Sequence, residues 1–161
     1  MVFSDDLANV LLRLLVAALV GAAIGLDREV HHKPAGMRTH ALVCLGAALI
    51  VVVVVRAGPV GTYRLDAVSR VVQGIIAGVG FLGGGAILKS SSGPEAVHGL
   101  TTAATIWLAA SLGVACGAGQ WAPALIGTAL AILVVIVGVP IERLVHRLFK
   151  DPEPAARLND H

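Results

Sequence analysis

A run of uncharged residues from Val71 to Leu88, VVQGIIAGVGFLGGGAIL, limits what this chain can fold into. The run approaches the roughly 20 apolar residues that an α-helix needs to cross a bilayer. It is also rich in glycine, which costs about 1 kcal/mol per residue in a soluble helix but lets membrane helices approach each other closely. The stretch therefore predicts a transmembrane helix with closely packed neighbours.

Two stripes of small or polar residues run along this helix: Gly74, Gly78 and Gly85 form one, and Gln73, Gly80 and Gly84 form the other. Ile75, Val79 and Leu82 lie away from both stripes, so we expect them to face lipid. Two grooves predict a central helix with two neighbours. We assign them to the Gly21–Gly25 pair of the first apolar span and to the Thr102–Gly113 face of the fourth.

The whole chain has the composition of a membrane protein. It is 57% apolar and only 14% charged, against about 25% charged residues in soluble domains. Five apolar spans can be marked, at about 7–26, 39–55, 71–88, 100–117 and 122–141. We therefore predict an all-α bundle of five transmembrane helices within residues 1–141, followed by a short cytoplasmic tail at 142–161. The bilayer is its principal environment, and no nucleic-acid motif is present.

The distribution of lysine and arginine predicts the orientation of the bundle. Eight of them lie in the 1–2 connection, the 3–4 connection and the tail, and three lie in the 2–3 connection. Cytoplasmic loops carry the excess of basic residues, so the N-terminus is expected outside and the tail in the cytoplasm. Arg13 lies inside the first span. It is either functional, as intramembrane charges often are, or reaches the outer headgroups near Asp5 or Asp6.

The connection DREVHHKPAGMRTH, residues 27–40, is the polar centre of the chain, and it supports three interpretations. Asp27, Glu29, His31 and His32 could hold a divalent cation, although two carboxylates are few for magnesium and zinc would lack a third ligand. The segment could instead be a basic loop that sets topology and binds acidic headgroups. In the third interpretation, Arg28 and Arg38 pair inward with Asp27 and Glu29 and join the first two spans.

Polar residues within the later spans also have two interpretations each. Gln73 either forms a hydrogen bond to a neighbouring helix or lines a polar path. Thr102 and Thr105 share one small, weakly polar face of the fourth span, with Trp107 on the lipid side. Their hydroxyls either bond back to the preceding turn of their own helix or form a seam against the third span.

Three segments together resemble the MgtC/SapB family of bacterial inner-membrane proteins: GLDRE with KPAGMRTHALVCLGAAL, then RVVQGIIAGVGFLGGGAILK, then VHGLTTAATIWLAASLGVACGAG. They follow the family's order between spans of matching length, over roughly residues 12–141. This chain has GVGFLGGG where the family usually has GIGFLGAG. Virulence-linked members carry a soluble domain after the last span, whereas only about twenty residues follow it here, so the chain resembles the short, membrane-only branch.

The resemblance implies a multi-pass inner-membrane protein associated with growth at low magnesium. Some family members are thought to restrain the F-type ATP synthase, which is therefore an expected partner, beside another membrane protein or a second copy of this chain. The candidate functional or packing positions are Asp27, Arg28, Glu29, Arg38, Thr39, Gln73, Gly74, Gly78, Gly80, Gly84, Thr102 and Thr105, with Arg13 as the intramembrane charge.

Three classes of function follow from these observations. A non-enzymatic regulator that docks against a membrane partner is favoured, because the glycine stripes exceed what five helices need. A transporter of small cations or solutes is the alternative, although no acidic residue lies within a span and no internal repeat is evident. An enzyme is not expected, because no nucleophile lies beside a base and no phosphate loop or metalloprotease motif is present. No cofactor is expected.

Overall fold

The computed structural model describes residues 2–57, 65–89 and 99–149, and these ranges form five α-helices without a strand. The helices are α1 (Val2–Val30), α2 (Met37–Arg56), α3 (Leu65–Lys89), α4 (Leu100–Gly117) and α5 (Trp121–Phe149). Each contains an apolar stretch long enough to cross a membrane. The predicted all-α bundle of five spans is therefore confirmed. α5 continues beyond the predicted end of its span, into the segment assigned to the tail.

The central helix is α4, and the prediction that the third span is central is wrong. α4 contacts the other four helices, whereas α3 contacts α2 and α4 within the described ranges. Half of the residues of α4 are buried, against 6% in the most apolar part of α3. Alanine, glycine and cysteine lie on several sides of α4, so neighbours can approach it from more than one direction.

Glycines hold α2 tightly between α1 and α4. A Cβ atom on Gly21 or Gly25 of α1 would lie under 3.0 Å from backbone atoms of α2 at Ala41 and Met37. A Cβ on Gly113 of α4 would collide with the backbone carbonyl of Cys44 from the other side. The small-residue pair of α1 is thus a packing device, as predicted, but its partner is α2 and not α3. Gly113 likewise faces α2.

The glycine stripes of α3 face open space. Among the described residues, no atom outside the helix's own backbone comes within 4 Å of a Cβ built on any of five positions: Gly74, Gly78, Gly80, Gly84 and Gly85. Ile75 and Val79, which were expected to face lipid, are buried beside Ile106 and Ala110 of α4. Leu82 is 48% exposed, as expected. α3 therefore packs through bulky side chains, which offer more contact area than glycine, and its smooth faces remain uncovered.

Candidate functional site

Four buried polar side chains form a cluster where α1 ends and where α2 and α4 begin: Arg28, His40, Thr102 and Thr105. We call this group the polar cluster. Within the described ranges these are all the buried polar or charged residues. A polar group in a membrane protein must find its partners internally, because lipid offers none. At the polar cluster, α1, α2 and α4 are therefore joined by polar contacts in addition to apolar packing.

Arg28 joins α1 to α4. Arg28 is only 3% exposed. Nη2 of its guanidinium donates a hydrogen bond to the hydroxyl of Thr102 in the first turn of α4. The same nitrogen lies 3.5 Å from the carbonyl oxygen of Pro34 in the α1–α2 connection. The Nε atom is buried without a hydrogen-bond partner among the described residues. Because a guanidinium stays charged in proteins, this end of the bundle holds a fixed buried cation.

His40 joins α2 to α4. Its Nδ1 lies 3.0 Å from the carbonyl oxygen of Gly36, and its Nε2 lies 3.0 Å from the hydroxyl of Thr105. The Gly36 carbonyl can only accept, so Nδ1 of His40 donates to it. The Thr105 hydroxyl also lies 3.0 Å from the carbonyl of Thr102, one turn back. The hydroxyl carries one proton, so it donates either to this carbonyl, which is one of the two predicted uses, or to Nε2 of His40 on α2.

The threonine face was predicted correctly as a unit but with the wrong neighbour. Thr102 and Thr105 bind Arg28 of α1 and His40 of α2, and not residues of α3. His40 was not among the candidate positions predicted from the sequence. The available signal was its place in the first turn of an apolar helix, where a buried imidazole needs partners for both ring nitrogens.

Two acidic residues in the last turn of α1, Asp27 and Glu29, have partners nearby, although the buried Oδ2 of Asp27 has no hydrogen bond to a described residue. Asp27 lies 3.1 Å from Nδ1 of His31 and 4.0 Å from Nζ of Lys33. Glu29 accepts a hydrogen bond of 3.2 Å from the backbone N–H of Met37, at the first residue of α2. A carboxylate at this position satisfies a free N–H and complements the helix dipole.

The predicted inward pairs of Arg28 and Arg38 with Asp27 and Glu29 are therefore wrong. Asp27 faces His31 and Lys33, and Glu29 accepts from the first backbone N–H of α2, whereas Arg28 turns towards α4. Arg38 and its neighbour Thr39 are exposed, and Arg38 pairs with no described carboxylate. Glu29 nevertheless joins the first two helices, through the α2 backbone.

No three metal-binding side chains come together in the described part of the chain, in this connection or elsewhere. Glu29 is turned towards the start of α2, while Asp27 faces His31 and Lys33. The arrangement therefore gives no support to the cation-site interpretation of residues 27–32.

A second feature is an open groove between α2 and α3, which we call the α2–α3 groove. It encloses about 620 Å³. Its walls are apolar, with Val43, Ala47 and Ile50 on α2 and Gly74, Gly78 and Val79 on α3 among its lining residues. Gly80 and Gly84 lie outside the groove lining. Gln73 is exposed on α3 and makes no hydrogen bond to a described residue.

At the opposite end of the bundle, Arg13 completes the C-terminus of α4. Its Nη1 donates to the carbonyl of Gly117 at 2.9 Å, and its Nε donates to the side chain of Asn9 at 2.7 Å. Asp6, which was expected near Arg13, forms an ion pair with Arg56 of α2. Arg13 therefore points into the bundle to a carbonyl that the end of the helix leaves free, and not outwards to the headgroups.

Comparison with known proteins identifies the family. The family model described as the MgtC family matches residues 14–144. The protein SrpB of Synechococcus elongatus is 52% identical over 127 residues, which cover 75% of this chain and 70% of SrpB. The protein MgtC of Salmonella typhi is 37% identical over 145 residues, which cover 90% of this chain and 58% of MgtC.

An uncharacterised protein of Haemophilus influenzae is 34% identical over 150 residues, which cover 90% of this chain and 62% of the relative. The chain thus spans less than two thirds of the length of the Salmonella and Haemophilus relatives. No solved structure matches it. The family match covers most of the chain and contains the polar cluster and the α2–α3 groove. The chain is a multi-pass membrane protein that belongs to the MgtC family.

Proposed function

We propose that this protein is a non-enzymatic regulator in the bacterial inner membrane, linked to magnesium limitation or ion homeostasis. It acts by binding a transmembrane helix of a partner protein in the α2–α3 groove. The observation that carries the proposal is the uncovered glycine surface of α3. The family resemblance suggests the membrane sector of the F-type ATP synthase as the first partner to look for.

The groove has the properties that an incoming membrane helix needs. Gly74 and Gly78 lie four residues apart on its wall, and neither has a neighbour within 4 Å of a built Cβ. Small residues at this spacing let a second helix approach until the backbones are in contact. The remaining lining is apolar, so a lipid-facing partner helix would leave no polar group unsatisfied.

The polar cluster contributes by holding the rest of the bundle rigid. Arg28 and His40 fix α1 and α2 to α4, and α2 is also held by the glycines on either side. α3 lacks comparable attachments to α2, since it packs there through Ile75 and Val79 beside an open cavity. The α2 wall of the groove is therefore held in place, whereas the α3 wall can move when a partner helix binds.

Capture of a partner in mild detergent tests the proposal. The informative variant is Gly78→Leu, because Gly78 lines the groove and has open space for a larger side chain. The matched control is Gly80→Leu on the same helix, which also has open space but lies outside the groove lining. We expect Gly78→Leu to lose a partner that the parent and Gly80→Leu retain. Equal capture by both variants contradicts the proposal.

A transporter of small cations or solutes is the second candidate, and the polar cluster favours it. Transport proteins place polar and ionisable groups inside the membrane region. Among the described residues, however, the buried polar groups are confined to this one end of the bundle. Magnesium flux into vesicles containing the purified protein, lost in Thr105→Val or Gln73→Leu, would favour transport over regulation. Absence of flux above that of empty vesicles would count against it.

A further inference from the structure

The last helix is longer than a membrane crossing requires. α5 has 29 residues, which at 1.5 Å per residue is about 43 Å, whereas the hydrocarbon core is about 30 Å thick. Its apolar crossing segment is Trp121–Gly138. The helix continues from 139 to 149, and we call these residues the α5 extension. Pro140 lies at its beginning.

The α5 extension has one continuous apolar face. The residues on this face recur at alternating intervals of three positions and one position: Ile141, Leu144, Val145, Leu148 and Phe149. This spacing places them on a single side of an α-helix. Their exposed fractions run from 46% at Val145 to 80% at Phe149. The described part of the bundle therefore leaves this face uncovered.

The charge of the extension is complementary to an anionic surface. Its sequence contains two arginines, at 143 and 147, and one carboxylate, at 142. Arg147 is exposed and occupies a different side of the helix from the apolar face. The extension also lies at the end of the bundle where α1 ends and α2 begins, which is the side that the basic residues assign to the cytoplasm.

We propose that the α5 extension lies in the headgroup region of the cytoplasmic leaflet, with its apolar face in the acyl-chain boundary and Arg147 among anionic phospholipid headgroups. Proline lacks the N–H that would bond to the preceding turn, so Pro140 supplies a position at which α5 can change direction. A basic helix with one apolar face is the pattern of an interfacial membrane segment.

Continuity with the rest of α5 favours lipid over a protein occupant. Upstream of Pro140, Leu133, Val134 and Ile136 are also more than half exposed. The apolar face of the extension thus continues a surface that already meets acyl chains. Binding of anionic headgroups by nearby arginines strengthens such an association.

Spin labelling of the full chain in vesicles tests this placement. Single cysteines at Leu148→Cys on the apolar face and Arg147→Cys on the other face carry the label. Native Cys44 and Cys116 are fully buried and are expected not to react, which the unmodified chain checks. In vesicles of phosphatidylglycerol and phosphatidylcholine, the Leu148 label should be severalfold less accessible to a water-soluble nickel chelate than the Arg147 label, and more accessible to oxygen. Equal, high nickel accessibility at both positions overturns the proposal.

A second measurement separates lipid from a protein occupant. Spin–spin broadening at Leu148 that disappears on dilution with unlabelled protein would show that a second copy covers the face, and would overturn the proposal. The charge contribution is tested with Arg147→Glu in the Leu148→Cys chain, with Arg147→Lys as the matched control. We expect Arg147→Glu to move the Leu148 label towards water in anionic vesicles but not in pure phosphatidylcholine. An unchanged depth in anionic vesicles overturns the role of the headgroups.

Discussion

The guanidinium of Arg28 donates a hydrogen bond to the hydroxyl of Thr102, and so joins the last turn of α1 to the first turn of α4. Both residues are almost completely buried. A cation held in this way is difficult to release, because a buried charge that loses a partner retains its desolvation cost. The contact fixes this end of the bundle at the point from which the connection of residues 31–36 emerges.

The first prediction concerns this contact. Thr102→Val keeps the shape of the side chain but removes the acceptor for Arg28, and hydrogen bonds to charged groups contribute about 1.5–3 kcal/mol. We expect the free energy of unfolding to fall by about this amount. Thr101→Val is the matched control, because Thr101 is exposed in the same turn. Reversible unfolding in mixed detergent micelles measures both, and equal losses would contradict the role assigned to Thr102.

The second prediction compares two glycines. Gly113→Ala places a Cβ against the backbone carbonyl of Cys44, so α2 and α4 must separate. Overpacking of this kind costs about 1–3 kcal/mol of the free energy of unfolding. Gly84→Ala on α3 meets open space and should leave stability unchanged or raise it slightly. A loss at Gly84 as large as that at Gly113 would show that the α3 surface is packed and not open.

These two glycines differ because they lie on helices with different places in the bundle. The five helices were predictable from the lengths of their apolar runs, since lipid leaves few alternatives to helices of that length. The neighbours of α3 were not predictable from its glycines. Glycine periodicity shows which faces are smooth, but the small residues spread around α4 determine which helix is central. Gly113, in α4, is therefore tightly packed, whereas Gly84 is not.

The candidate site was predictable only in part. Arg28, Thr102 and Thr105 were among the candidate positions, and all three are buried. The hydrogen bonds that join Thr102 and Thr105 to α1 and α2 were not predicted, because the sequence does not show how far these helices lie from α4. His40 could have been identified from its place within an apolar helix.

The third prediction concerns the opposite end of the bundle, where α4 ends. Arg13→Met keeps an unbranched, flexible side chain but leaves the Gly117 carbonyl without its donor, so the free energy of unfolding should fall by about 1–3 kcal/mol. Arg56→Met removes a solvent-exposed ion pair with Asp6 and should cost less, because water screens such pairs. Unfolding of both variants in detergent checks the order. A larger loss at Arg56 would show that Arg13 does not complete the end of α4.

The fourth prediction concerns the function itself, which in this account requires the α2–α3 groove to be free. Two variants separate occupancy of the groove from general damage, since Gly78 and Gly80 both have open space and only Gly78 lines the groove. Both should reach the membrane at the parent level and unfold at similar detergent concentrations. Immunoblotting of membrane fractions and unfolding of the purified proteins establish this before function is compared.

The most direct measurement is growth at low magnesium of a bacterial strain that lacks its own MgtC-family protein, complemented with each variant. The account predicts that the parent chain and Gly80→Leu restore growth, whereas Gly78→Leu does not, because leucine fills the space that the partner helix requires. Restoration by Gly78→Leu to the level of Gly80→Leu would contradict the claim that the α2–α3 groove carries the function.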